Sequence, residues 1–201
     1  MKTQILTLVA LVALTISTTK NASANTANFN DKNAVVLAEA ANISKIEVRG
    51  NVQLFISNGT ADEVKVYNKY YSESALVQNT KGTLRISSYK NEKLVVWVTV
   101  NDLRSLNMYD NAEVKSFGKL SAIELDVNLY NTASAQLDLN VFDADINISD
   151  RAKADLKGDV NSCYLTHDRS ATVNSAALAA SKMVLNNVAR VAPKGQELAG
   201  I

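Results

Sequence analysis

The amino-acid sequence predicts an all-β solenoid of about 20 residues per rung. Three observations carry that reading. A short turn phrase recurs five times between Tyr109 and Val191, with alanine at 112, 133, 152, 171 and 189, so the steps are 21, 19, 19 and 18 residues. A second column, Leu106, Val127, Ile146, Leu165 and Leu185, steps by 21, 19, 19 and 20 residues. Between the columns, apolar and polar residues alternate with period two, the mark of strands with one buried face. A single rung leaves its backbone N–H and C=O groups unpaired on both sides. A second rung about 4.8 Å away pairs them and sets like residues on like.

Taken in chain order, residues 1–24 read as a secretory signal peptide. Lys2 opens it, the apolar run Ile5–Ile16 follows, and Ala22-Ser23-Ala24 is a small-x-small cleavage site. The run is too short to span a bilayer, which takes roughly 20 apolar residues, and no later stretch in the mature chain is long enough. Residues 25–42 form a polar, flexible leader, and order is expected from Ile43. Ile46, Val48, Val52, Leu54 and Ile56 alternate around Gly50. Asn58-Gly59 is a turn signal, Val64-Lys65-Val66 resumes the strand pattern, and Leu84-Arg85-Ile86 follows Lys81-Gly82. Leu94–Val100 is the most apolar strand, with Trp97 expected in the core or under the first turn.

The repeated half begins near Leu103. Ile123, Leu125, Val127 and Leu129 are expected to point inward, as are Ala133, Ala135, Leu137 and Leu139 after the Tyr130-Asn131-Thr132 turn. Apolar spacing of two, rather than three and four, argues against helices. Ala176–Ala180 reads as a rung corner or a single turn. The alanine column fits a narrow interior that admits only small side chains. Residues 193–201 serve as a cap or tail after the domain at 43–192. Open ends of such a stack would favour self-association unless capped.

Together, the signal peptide, the opening Ile46-Glu47-Val48-Arg49-Gly50-Asn51-Val52 strand, the Leu84-Arg85-Ile86 segment and the serial rungs resemble the head GIN domain proteins. This is a family of unknown function, named as auto-transporter adhesins and abundant in Bacteroidetes. The resemblance covers about Ile43 to Val191. It implies a right-handed parallel β-helix-like solenoid on an exported protein, and it brings no catalytic residues. The family's turn commonly reads Ser-Gly-Ser, whereas here the glycine place holds Asp110, Asn131, Asp150, Arg169 or Asn187. Asp and Asn tolerate left-handed geometry better than most residues. Arg169 does not, which suggests that the His167-Asp168 rung is shifted by one.

Charge and motifs narrow the functional classes. Of 21 basic residues, setting aside Lys2 and Lys20 leaves 19 against 20 acidic ones. That balance offers no basic stripe for nucleic acid and no polybasic segment for an anionic membrane. Cys163 is the lone cysteine, read as a buried small side chain rather than a nucleophile. His167-Asp168-Arg169-Ser170 mixes triad residue types, but neighbours along a turn point apart, so a polar turn is expected. The column Asp110, Asn131, Asp150 and Asp168 could hold calcium through its oxygens; the favoured reading is a ladder of turn residues that caps backbone groups.

No catalytic, metal-ligating or cofactor-binding residue is assigned, and no cofactor is expected. Tyr109 and Tyr130 share one rung position and are the candidate surface contacts, for a carbohydrate or an envelope protein; cross-strand pairing is their structural alternative. Tyr67, Tyr70, Tyr71 and Tyr89 lie in the less regular first half. The function read from these features is an exported, non-enzymatic binding or adhesion-type module of the cell envelope, placed in the periplasm, on the outer-membrane surface or outside the cell. The alternatives are a carbohydrate-active enzyme with paired outward carboxylates and a periplasmic sensor or scaffold.

Overall fold

The computed structural model describes residues 35–36, 41–67 and 75–188. The expected signal peptide, most of the expected leader, Tyr70, Tyr71, the repeat phrase at Ala189 and the expected cap or tail lie outside the described residues. Within them the protein is all-β, a single mixed sheet curled around one apolar core, with no helix among the described residues.

The first half supplies short strands: β1 (Val35–Val36), β2 (Lys45–Gly50), β3 (Val52–Asn58), β4 (Glu63–Val66), β5 (Ala75–Thr80), β6 (Thr83–Ser88) and β7 (Leu94–Val100). The second half runs from β8 (Ser105–Met108) and β9 (Glu113–Ser116) through β10 (Leu120–Leu129) to three long strands. These are β11 (Ser134–Ile148), β12 (Lys153–Asp168) and β13 (Thr172–Val188). Antiparallel pairing is confined to the N-terminal end, where β1 meets β4, β4 meets β7 and β5 meets β6. The β5–β6 hairpin turns on Lys81 and Gly82, both at positive φ (50° and 78°), as a primed hairpin turn requires. Every other pair is parallel. Gly50, at φ 80°, sits where a Cβ would strike the Ser88 carbonyl, which accepts the Asn51 N–H at 2.6 Å.

The repeats lie in register. Leu106 is opposite Val127, Val127 opposite Ile146, Ile146 opposite Leu165 and Leu165 opposite Leu185. The alanine column is continuous through the backbone, since Ser134 N–H donates to the Ala112 carbonyl, Lys153 to Ala133 and Thr172 to Ala152. Ala112, Ala133 and Ala152 are fully buried and Ala171 is partly so. The step of 20 rather than 19 between Leu165 and Leu185 comes from a bulge: Asp155 pairs with Asn174 but Lys157 with Ala177. Ala176–Ala180 is therefore strand containing that irregularity, not a helical turn. Val35–Val36, inside the expected leader, pairs with Val66 and Lys65.

Two inward assignments need correction. Ile123 is 77% exposed. Inward positions run 120 and 122, then 125, 127 and 129, so the alternation slips by one residue at a corner. The same slip recurs at 142–143 and 161–162, where the chain turns from one sheet arm into the next. Strict period two cannot anticipate a bend that keeps both arms facing one core. Leu185 occupies the predicted column, yet it is 59% exposed, because β13 has a strand on one side only among the described residues.

Ala152 carries a direct test of the interior. Overpacking a filled core costs about 1–3 kcal/mol, so Ala152→Leu should lower unfolding free energy by that amount in a denaturant titration. Lys153→Leu, on the exposed face, should change it by less than about 0.5 kcal/mol; equal losses would place Ala152 outside the core.

Candidate functional site

Four turns stack along one edge of the sheet. Each is closed by an alanine N–H: Ala112 donates to the Tyr109 carbonyl (3.2 Å), Ala133 to Tyr130 (3.1 Å), Ala152 to Ser149 (3.2 Å) and Ala171 to Asp168 (3.1 Å). The second residue of the first three, Asp110, Asn131 and Asp150, has φ of 61°, 59° and 61°. Asn and Asp reach this left-handed region because their short polar side chains bond locally. Here the side chains also bond between rungs. Asp110 N–H donates to Asn131 Oδ1 (3.1 Å), Asn131 N–H to Asp150 Oδ2 (3.0 Å) and Asp150 N–H to Asp168 Oδ2 (2.7 Å). In the last step the carboxylate comes one residue early: the strand register sets His167 beside Ile148, so Arg169 occupies the place of Asp150. The acidic column thus accepts backbone donors. Among the described residues, no group of three or more His, Cys, Asp or Glu is placed to hold a metal ion.

Beside this ladder stands a stack of planar groups. The Arg49 guanidinium carbon lies 3.8 Å from the centroid of the Tyr109 ring. Tyr109 and Tyr130 stack at 4.9 Å between centroids and 9° between planes. The register produces this row, because Tyr109 N–H donates to the Val48 carbonyl and Tyr130 N–H to the Met108 carbonyl. Both rings are half-buried, and Tyr89, 72% exposed, donates its hydroxyl to Asp110 Oδ2 at 3.2 Å. An asparagine ladder runs alongside: Asn147 Nδ2 donates to Asn128 Oδ1 (3.2 Å) and Asn128 Nδ2 to Asn107 Oδ1 (3.0 Å). Sequence reasoning placed Arg49 in the opening strand motif but gave neither it nor the asparagines a part in this site, though Asn recurs two positions before three of the turns.

The family model described as "Putative auto-transporter adhesin, head GIN domain" matches residues 42–190. The chain belongs to that family. Its fold is similar to a "putative adhesin" from Parabacteroides merdae, 13% identical, with 78% of each chain covered and a TM-score of 0.62. It is also similar to a "Putative lipid binding protein" from Parabacteroides distasonis, 11% identical over 77% of this chain and 78% of that one, at 0.60. A "putative adhesin" from the same species is 13% identical over 77% of each chain, at 0.56. None of the curated proteins matches. At such identities the likeness is one of fold.

Other polar clusters of this GIN domain resolve into structure. His167 Nδ1 lies 3.0 Å from the Asp168 carbonyl, Ser170 donates to the Asp150 carbonyl, and the Asp168 carboxylate holds the Asp150 N–H. The three side chains therefore engage the backbone rather than one another. Cys163 is buried, and burial pushes its thiol pKa up, with Asp145 adding to the effect. Trp97 is not in the core: it is half-buried on the outer face, stacked on Phe55 at 5.6 Å and tilted against Phe117 at 5.1 Å. Val96 and Val98 are buried, and strand alternation then sends Trp97, between them, outward. Outward carboxylates do pair: Asp126 is opposite Asp145 and Glu124 opposite Asp143. Burial first, then the charges of Asp145 and Glu124, raises the Asp126 pKa.

Two outcomes follow from this geometry. Asn131→Ala removes an acceptor and places a Cβ residue without local bonding at φ 59°, a loss of about 1–3 kcal/mol. Asn131→Gly keeps the turn geometry and should lose less in the same denaturant titration. For Asp126, a raised folded pKa means that the folded state holds the proton more tightly than the unfolded one. Its contribution is favourable at low pH and is lost as pH rises through the folded pKa. Asp126→Asn should therefore raise the melting temperature at neutral pH, with the gain shrinking as pH falls toward the carboxylate range.

Proposed function

We propose that this chain is an exported, non-enzymatic binding module of the cell envelope, with the Arg49–Tyr109–Tyr130 stack as its contact surface. The observation that carries the reading is the stack itself: two parallel rings and a guanidinium, held by backbone register beside an exposed tyrosine. Rings fixed in this way present apolar area and hydroxyl groups with little conformational entropy left to lose, which suits sugar rings. The family description supports an adhesion role.

In this reading the fold is a right-handed parallel β-helix-like solenoid of about 20 residues per rung. In-register parallel pairing at offsets of 19 to 21 residues supports it. The signal peptide at 1–24 would deliver the chain to the periplasm or the outer surface, the leader at 25–42 would tether the domain at 43–192, and residues 193–201 would close its end. The Lys2 start, the apolar run and the small-residue cleavage site support export.

A glycan array probed with the protein and with Tyr109→Ala and Tyr130→Ala checks the reading. A reproducible glycan signal that falls about tenfold on losing either ring, equivalent to roughly 1.4 kcal/mol, is the expected outcome, with melting still cooperative. Binding unchanged in both variants would remove the stack from the contact surface, and release of shortened sugars from a bound glycan would favour the carboxylate enzyme instead.

A further inference from the structure

We propose that the ligand of the tyrosine row is an acidic sugar, its carboxylate read by Arg49 and its hydroxyl groups bonded by Tyr109 and Tyr130. This inference rests on the row being the contact surface, and it names the chemistry that the surface selects. Backbone register places Arg49. It lies in β2 opposite Ser87 of β6, and Tyr109 comes beside it through its N–H bond to the Val48 carbonyl. The strand order β2, β8, β10 sets Arg49 on one side of Tyr109 and Tyr130 on the other. The guanidinium carbon is 3.8 Å from the Tyr109 ring centroid, and the two ring centroids are 4.9 Å apart. Both faces of Tyr109 are therefore covered. What the row offers a ligand is a line of edges: guanidinium N–H groups, then two phenol hydroxyls, with about 4.8 Å from one strand to the next.

Those polar edges are uncommitted. Arg49 is exposed, and among the described residues it makes no ion pair and no hydrogen bond; its contact is the Tyr109 ring. Arg85 and Arg104, by contrast, pair with Glu47 and Asp102 at 3.2 and 2.7 Å. The Tyr109 and Tyr130 hydroxyls likewise have no hydrogen-bond partner among the described residues. The acidic groups nearby are engaged elsewhere. Asp110 accepts the Tyr89 hydroxyl at 3.2 Å and forms no ion pair with Arg49. Glu47, two residues before Arg49, is held by Lys45 at 2.9 Å and by Arg85.

The chemistry of these groups narrows the ligand. A guanidinium presents its N–H donors in a planar fork that fits both oxygens of a carboxylate side by side. Stacking on Tyr109 restrains the side chain, so less freedom is lost when an anion binds. One unpaired cation matches one negative charge, and the Asp110 carboxylate beside the row repels a doubly charged phosphate more than a carboxylate. A neutral sugar would engage the phenol hydroxyls but leave the guanidinium without a charged partner. A sugar acid meets both needs, with its carboxylate on Arg49 and its hydroxyl groups along the tyrosine edges.

The test is an array of neutral glycans, uronic-acid glycans and the same uronic-acid glycans with each carboxylate reduced to an alcohol, probed with the protein and with Arg49→Gln. Retention of the uronic-acid glycans, falling about tenfold on carboxyl reduction as one charge-assisted contact is lost, is the expected result. Arg49→Gln should lose the same factor on the acidic glycans and no longer tell them from the reduced ones. Reduction changes only the ligand, so that arm is independent of any effect of the variant on folding. Acidic binding should also weaken as salt is added. If neutral and acidic glycans bind alike, carboxylate recognition is overturned while the tyrosine row stands as a contact surface. Acidic glycans whose retention survives Arg49→Gln overturn it as well. If no glycan is retained, the row's role and this inference fall together.

Discussion

In-register backbone pairing between successive repeats is the constraint on which the rest of this molecule depends. When each strand lies one rung from its own repeat, every inward residue meets the same residue type above and below. The interior then becomes a set of columns rather than a three-dimensional puzzle. Ala112, Ala133 and Ala152 line the narrow place by the turns, and Leu106, Val127, Ile146 and Leu165 fill the wider one. The columns also act outside. Tyrosine stacks on tyrosine and asparagine bonds asparagine because the register that aligns the core aligns the outer face in the same step.

The turn row shows how a chain without glycine at a left-handed position can still make it. Asp110, Asn131 and Asp150 accept the conformational cost, and each turn is held by a side-chain oxygen of the next. A bond between rungs offsets a cost within one. In the column weighed for calcium, Asn131, Asp150 and Asp168 each accept a backbone N–H and Asp110 accepts the Tyr89 hydroxyl, while His167 and Ser170 are likewise engaged by backbone carbonyls. Beside this row stand aromatic and cationic groups, Tyr89, Arg49, Tyr109 and Tyr130, and Phe55, Trp97 and Phe117 pack together on another part of the outer face. The chain belongs to a family described as "Putative auto-transporter adhesin, head GIN domain", and the proposed contact surface is built on this aromatic and cationic row.

The two ends of the stack differ in kind. Short antiparallel strands border the N-terminal end, β1 on β4 and β5 on β6. Among the described residues, the C-terminal end finishes on a long, nearly uncharged strand, β13, whose Met183 and Leu185 are partly exposed. In a repeating fold each rung buries its neighbour's face, so a terminal rung needs a cap that the repeat itself does not supply.

Much of this was legible before any coordinates. The period, the inward columns as far as Ala152 and Leu165, the strand segments of the first half, the stacking of Tyr109 on Tyr130 and the burial of Cys163 all follow from spacing and alternation, which are properties of the chain taken one residue at a time. What sequence could not supply depends on where the backbone bends. The corner at Ile123-Glu124 breaks the phase of the alternation and expels an isoleucine. The 20-residue step from Leu165 to Leu185 is visible in the spacing, but the bulge in β13 that absorbs the extra residue is not. Arg49 meets Tyr109 only because a strand from the first half lies beside β8, a juxtaposition 60 residues apart in the chain. Sequence determines what a strand will bury; only tertiary structure decides which strand lies next to it, because backbone pairing is blind to side-chain identity and is settled by the closure of the whole sheet.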